Sequence, residues 1–441
     1  MKPVSVWLVL LLVGLILPAR PDEAALPLTM DEAVRLALAN NPGIRAAAAR
    51  LEQARQNEQI VASPGRTQAT LSAYRDRQRT AFGPPFETGL GALQIPIQAE
   101  PLEYSTSSIR ILFRQLLFDG GRIAARIEEA RANARGVEQS LVASYNDLVL
   151  EVRLKYLDLL QARRQESETR ERLELARRQL EETEARYDAG SAARADVVYA
   201  RLPVSQAELA STRLGAQIES SQTRLNKLLG LPQDTELDAA EPDPPGPLPG
   251  DLEVCLGIAR EKRPELARFH HEIAAARSAV QAAARENGPE VHAVGELSGV
   301  AYNEDWLPKS EAWRVALELS WPLLDGHRSF YLERQAQARV DELEALLAEH
   351  EHQVEQEVRE AFVELQTAIK AYEVAQVGVA RAREALEMAQ GQYGVGVAPF
   401  LQVSQAQLDF SQARTDLLEA LYDYHRSRTQ LEWALGQVRD S

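Results

Sequence analysis

Two halves of this chain repeat each other in one register, and that duplication limits the folds open to it. Asp119-Gly120-Gly121-Arg122 recurs as Asp325-Gly326-His327-Arg328, an offset of 206 residues. At the same offset Tyr187 and Gly190 meet Tyr393 and Gly396, and Leu225 and Gly230 meet Leu431 and Gly436. Between these anchors Ala130, Leu141, Val152, Ala162, Arg177, Leu180, Ala200 and Ala207 recur as well. Helical composition alone does not hold such a register without a gap. The N-terminal parts match more loosely, with Pro42 before an alanine-rich helix resembling Pro264 before Ala274-Ala275-Ala276. Glu241 to Gly250 is a Pro-rich stretch that is stiff and not helical. The expected organisation is a leader over 1–25, a first repeat over 26–230, a linker over 231–250 and a second repeat over 251–441.

The leader starts with Lys2, continues through a mostly apolar run from Val4 to Leu17 and ends in Pro18-Ala19-Arg20-Pro21. This is a secretory signal pattern. The alternative, an uncleaved anchor, usually needs about 20 apolar residues, and no clean Ala-x-Ala context marks a cleavage point. No later segment approaches the roughly 18 uninterrupted apolar residues of a membrane helix, so any further crossing falls to β-strands. Acidic residues outnumber basic ones 65 to 49, for a formal charge of −16, which disfavours a nucleic-acid partner. The single cysteine, Cys255, excludes an internal disulfide or a multi-thiolate metal site. His270-His271 and His350-Glu351-His352 point to different faces of a helix, so neither pair makes a metal site alone. There is no nucleophile motif, phosphate loop or H-E-x-x-H, so neither an enzyme nor a cofactor is expected.

Each half reads as helix, strand, loop, strand, very long helix, tight turn and helix. Thr29 or Asp31 caps a short helix ending before Pro42, and a second helix runs from about Gly43 to Ala62. Strands are expected roughly over 66–77, 105–117, 290–301 and 312–323. Ile109, Ile111 and Phe113 alternate with Ser108, Arg110 and Arg114, while Trp313, Val315, Leu317, Leu319 and Trp321 alternate with Arg314, Ala316, Glu318 and Ser320. One apolar and one charged face suits a membrane barrel strand, and equally a strand of a soluble sandwich. Arg122 to Ala189 has no proline and only Gly136; His327 to Gln390 has none and only Gly378. About 65 residues at 1.5 Å each make a helix of roughly 100 Å. An apolar seam (Leu148, Val152, Tyr156, Leu159, then Leu173, Ala176, Leu180) asks for neighbouring helices. Four strands do not close a transmembrane barrel, which needs about eight, so several chains must pool them.

With these features the chain resembles the TolC-like outer-membrane efflux protein family, the exit ducts of tripartite pumps and type I secretion systems. The resemblance rests on Phe118-Asp119-Gly120-Gly121-Arg122 and its copy Leu324-Asp325-Gly326-His327-Arg328, on Tyr187-x-x-Gly190 and Tyr393-x-x-Gly396, and on Leu225-Asn226-Lys227-Leu228-Leu229-Gly230. The opening Leu28-Thr29-Met30-Asp31-Glu32-Ala33 and Asn41-Pro42 belong to it too. It implies a mostly α fold with transmembrane β: duplicated helical hairpins form a trimeric α-barrel tunnel beneath a shared 12-stranded outer-membrane β-barrel. It also implies a homotrimer set in outer-membrane lipid, its tunnel in the periplasm. A periplasmic adaptor would meet the hairpin tips (Tyr187, Gly190, Arg194, Gly394, Gly396), and an inner-membrane transporter would act through the adaptor.

In relatives, acidic residues and a tyrosine–arginine network close the tunnel near the tips. The matching positions here are Asp196, Gln402, Gln405 and Tyr393, with Arg194 as the arginine at the first tip. Asp196 reads equally as a ring of carboxylates across three chains or as a cap of the returning helix. Gln402 and Gln405 depart from the acidic pattern. The rival readings are a periplasmic adaptor, which would need one hairpin flanked by β-rich domains, and an exported soluble coiled-coil scaffold.

Overall fold

A computed structural model describes residues 26–80, 86–90, 93–97, 102–241, 246, 250–302, 305, 307, 309–395 and 397–437. The expected leader over 1–25 lies outside the described residues. In chain order the elements are β1 (Leu26–Leu28), α1 (Met30–Asn40), α2 (Pro42–Ala62), β2 (Gln68–Thr80), β3 (Phe86–Leu90), β4 (Leu93–Ile97), β5 (Leu102–Phe118), α3 (Arg122–Asp188), α4 (Arg194–Leu229), β6 (Leu237–Ala239), α5 (Leu252–Lys262), α6 (Pro264–Ala284), β7 (Glu290–Tyr302), β8 (Ser310–Ser320), α7 (Arg328–Gly394) and α8 (Phe400–Ala434). The chain divides into two compact units. One comprises Met1–Asn41, Leu148–Pro249 and Ala361–Leu431; the other comprises Pro42–Asp147, Gly250–Glu360 and Glu432–Ser441.

The duplication is legible in local chemistry. The short helices α1 and α5 both have 11 residues and α2 and α6 both have 21. Each short helix stops because a proline follows, holding Asn41 and Arg263 extended at ψ 123° and 118°. Gly230 closes α4 in the left-handed region, where a Cβ would come within 3.2 Å of the Asn40 carbonyl oxygen. Gly436 does the same after α8, 2.8 Å from the Lys262 carbonyl oxygen. Only glycine tolerates both the φ and the approach.

In the first unit, Thr29 and Glu32 form a reciprocal cap on α1. The Thr29 amide donates to Glu32 Oε2 at 2.9 Å, and the Glu32 amide to Thr29 Oγ1 at 3.3 Å. The Thr29 amide, and the Thr29 hydroxyl at 2.8 Å, donate to the Glu32 carboxyl and hold it below the usual range. The α3 seam packs as its periodicity requires: Leu148, Val152, Tyr156 and Leu159 are buried, as is Ala176, while Leu173 and Leu180 are half-buried. The Tyr156 hydroxyl sits 2.7 Å from the Leu28 carbonyl and 2.8 Å from that of Ala240, a shared donor. It clasps the two-stranded parallel sheet in which Leu26 faces Leu237. Arg163 donates to the Leu237 carbonyl beside it.

In the second unit, β2, β5, β7 and β8 form one antiparallel sheet in that order. Ala73 faces Ile109 and Leu71 faces Ile111; Ile111 faces Leu297, and Leu297 faces Trp313. One face is therefore apolar across all four strands. It is uncovered within the chain: Trp313, Val315, Leu317 and Leu319 are 77, 78, 73 and 67% exposed. The other face is held by cross-strand ion pairs, Arg110–Glu296 at 3.1 Å and Arg114–Glu318 at 3.6 Å, with Arg314 reaching Glu318 at 3.2 Å. Elsewhere in this unit Phe269, Ile273 and Ala276 of α6 pack on Val340 and Leu343 of α7. Buried Arg263 lies over the Trp433 ring, 4.4 Å from its centre, and pairs with Glu357.

Aspartates govern both turns from strand to long helix. Asp119 accepts from the amides of Gly121 at 2.9 Å and Ile123 at 2.6 Å, and Asp325 accepts from the Ser329 amide at 2.8 Å. The residues after each aspartate take positive φ: Gly120 and Gly121 in one copy, Gly326 and His327 in the other. Histidine tolerates that region better than most side chains.

Three expectations need correction. The first half carries a second antiparallel pair, β3 with β4, besides its two long strands. The strands run over Gln68–Thr80, Leu102–Phe118, Glu290–Tyr302 and Ser310–Ser320 rather than the narrower or later spans expected. Trp321 lies one residue beyond the end of β8, and its indole donates to the Asn287 carbonyl at 3.2 Å.

Replacing Tyr156 by Phe keeps the ring and removes the hydroxyl donor, leaving the Leu28 carbonyl with only the Ala240 amide at 3.1 Å. Stability is expected to fall by about 1–3 kcal/mol, measured by chemical denaturation. Burial pushes the Tyr156 hydroxyl up to about 12. Because the folded value is raised, this stabilisation is full below the ordinary tyrosine range near pH 10 and fades as pH rises through the shifted value. An unchanged denaturation midpoint would remove the clasp from the account.

Candidate functional site

The two hairpin tips lie in the first unit, where the fold gathers most of the residues singled out by sequence. At the first tip α3 ends at Asp188 and the chain reverses through Gly190, whose φ of 76° suits glycine. The Gly190 amide donates to the Tyr187 carbonyl at 2.9 Å, and the Ser191 amide to that of Arg186 at 2.9 Å. Asp196 then starts the returning helix. Its Oδ2 accepts from the Ala193 amide at 3.0 Å, the carboxylate half of a cap whose other partner, an alanine, has no acceptor. One Asp196 oxygen is thus committed to the helix start while the side chain stays half-exposed. Tyr187 and Arg194 are exposed.

At the second tip α7 ends at Gly394, and the Val397 and Ala398 amides close the turn on the Gln392 carbonyl at 3.0 and 3.3 Å. Gly396 lies outside the described residues. Gln402 donates to the Gln392 side chain at 3.3 Å and Gln405 to Asp409 at 2.9 Å. Both glutamines are exposed and bond within their own hairpin.

A side-chain contact joins the tips. Arg186 donates to the Tyr393 hydroxyl at 3.2 Å, with its guanidinium 5.4 Å from the centre of that ring. Glu182 pairs with the same guanidinium at 2.6 Å. Tyr393 and Glu182 raise the Arg186 pKa, so the cation persists throughout the physiological range. Arg186, near the end of α3, makes this contact, while Arg194 opens α4 on the other side of the reversal. Farther from the tips, α3 and α8 are joined by polar contacts, Gln407 to Gln179 at 2.8 Å, Arg172 to Ser411 at 3.1 Å and Arg414 to Glu168 at 3.2 Å. Two residues escaped the sequence reading. Arg186 immediately precedes the tip tyrosine but sits within a run of helical charge. Asp409 lies one turn beyond Gln405 and returns a carboxylate to the second hairpin. Among the described residues no three His, Cys, Asp or Glu side chains cluster as metal ligands.

The family model described as "Outer membrane efflux protein" matches the chain twice, over residues 33–231 and 255–437. Protein CyaE of Bordetella pertussis is 28% identical over 404 residues, covering 89% of this chain and 81% of that protein. The outer membrane protein TolC of Vibrio cholerae is 23% identical over 414 residues, covering 88% and 90%. Among solved structures, the Campylobacter jejuni CmeC outer membrane channel superposes with a TM-score of 0.77 at 18% identity, covering 92% of this chain and 85% of that one. The outer-membrane channel OprN gives 0.78 at 22% identity, covering 92% and 90%.

Tyr393→Phe and Arg186→Gln each remove the tip-to-tip hydrogen bond. Each is expected to speed amide exchange around Gly190 and Gly394 about threefold to tenfold, with no further gain in the double variant. Additive effects would show that the two side chains act separately.

Proposed function

The chain belongs to the outer membrane efflux protein family, and from that premise we propose that three copies pool their strands into one barrel and ring their long helices into a tunnel. As a member it is an outer-membrane efflux channel of the kind that serves tripartite pumps or secretion systems. The observation carrying the proposal is the four-stranded sheet, whose apolar face is uncovered and whose outer strands, β2 and β8, have no neighbour beyond them among the described residues. Unpaired backbone groups in hydrocarbon cost several kcal/mol each, and closure needs about eight strands. Three copies of a four-stranded sheet supply twelve.

In this reading, 1–25 is the exported leader, 26–230 and 251–441 are the two repeats, and 231–250 links them. The tips at Tyr187, Gly190, Arg194, Gly394 and Gly396 face a periplasmic adaptor, through which an inner-membrane transporter supplies the energy. The chain itself is a passive conduit with no catalytic role. Its constriction comprises Asp196, Gln402, Gln405 and Tyr393, with Arg186 added as the partner of Tyr393. The contacts between α3 and α8 support a gate, because part-buried polar contacts can exchange for water when helices part, at a lower cost than separating an apolar seam. Threefold symmetry would set three Asp196 carboxylates around one axis and favour cations there.

Single-channel recording in planar bilayers tests the constriction. Asp196→Ala is expected to change conductance and cation preference more than Gln402→Ala with Gln405→Ala. Equal or reversed effects would shift the acidic ring toward Asp409. Helix-breaking insertions at Gly190 or Gly394 are expected to abolish export while leaving the oligomer intact. An oligomer lost on insertion would place the tips in the assembly core instead.

A further inference from the structure

Strand β2 changes character along a single face. Its residues are exposed throughout, and the two-residue period places Ala69, Leu71 and Ala73 on the side that Ile109, Ile111 and Phe113 occupy on β5. Arg75, Arg77 and Arg79 continue that side. They face Ser107, Ser105 and Glu103, the three same-face positions beyond Ile109. The arginines therefore follow the apolar band directly, on the face that carries it.

Connectivity gives the direction. Helix α2 enters β2 at Gln68 and α3 leaves β5 after Phe118, whereas the arginines lie toward Thr80 and Leu102. They stand at the end of the strands away from both helices. At a rise of about 3.3 Å per residue, the row spans roughly 13 Å. Arg77 and Arg79 keep side chains 75% and 67% exposed while sharing one carboxylate, Glu103, at 3.0 and 3.5 Å. The polar face of the sheet carries more acid, since Arg110, Arg114 and Arg314 share two carboxylates there, Glu296 and Glu318.

Guanidinium groups are costly in hydrocarbon. A row of three that begins where the apolar band stops fits the level of lipid headgroups, and the planar fork of arginine matches phosphate with two bonds. We propose that Arg75, Arg77 and Arg79 are a docking row for phosphorylated lipid headgroups of the outer leaflet. The row anchors the channel at its far rim and sets how deep the apolar band sits. This rests on the barrel reading above. In a threefold assembly it recurs three times around the rim.

The test compares the full-length protein with the Arg75→Ser/Arg77→Ser/Arg79→Ser variant, both purified in detergent and titrated with lipopolysaccharide and with the same lipopolysaccharide after phosphatase treatment. Arg110→Ser on the opposite face serves as control. Wild type and the Arg110→Ser control are expected to prefer the phosphorylated form by on the order of a hundredfold, since each basic residue near anionic headgroups contributes about fivefold. The triple variant is expected to lose that preference while remaining an oligomer that inserts into lipid. A triple variant that keeps the wild-type preference, or an equal loss in Arg110→Ser, would overturn the inference and leave the barrel standing. A wild-type protein that forms no lipid-inserting oligomer would overturn both.

Discussion

Backbone hydrogen bonding in lipid is the constraint on which the rest of this molecule depends. A helix satisfies its own amides and carbonyls, but a strand needs a neighbour, and the strands at both ends of this sheet present a row of groups that no other strand among the described residues pairs. Water would solvate those groups. The apolar face rules against that solution, because Trp313, Val315, Leu317 and Leu319 stand uncovered on the same sheet. Closure with further copies satisfies edges and face at once. In the proposed barrel the ion pairs on the opposite face, Arg110–Glu296 and Arg114–Glu318, would line a lumen where charge is tolerated.

In the proposed assembly the helices are subordinate to that closure. Each long helix springs from a strand through an aspartate turn, so whatever symmetry the strands adopt is handed to the helices. The turn works because Asp119 and Asp325 satisfy the first amides of α3 and α7 while the following two residues take positive φ. At the far end the tips rely on few and exposed contacts, chiefly Arg186 with Tyr393. Under the proposed assembly, closed strands and weakly held tips would suit a barrel that stays shut to lipid while the tunnel entrance changes state.

Much of the architecture was legible because its signals are long. Proline-free stretches of this length leave few alternatives to α3 and α7, and the 206-residue register located both turns. Short elements were not legible. β1 and β6 have three residues each, too few for periodicity, and they exist because Tyr156 and Arg163 hold their carbonyls from another part of the chain. The β3–β4 pair did leave a trace. Pro42 and Pro264 are 222 residues apart but Arg122 and Arg328 are 206 apart, so the first half holds 16 additional residues between α2 and α3. At the tips the turns were readable from Gly190 and Asp196, but the contact between them was not. Which arginine meets Tyr393 depends on helix rotation, and Arg186 looks like any other member of a charged helix face.

The most direct test of the account is electron microscopy of the detergent-purified protein with its mass measured in parallel. The expected particle has threefold symmetry, three chains and a single barrel of twelve strands leading into a helical tube. A water-soluble monomer whose apolar sheet face is covered by some other element, with no barrel, would contradict the claim that shared strand closure organises this fold.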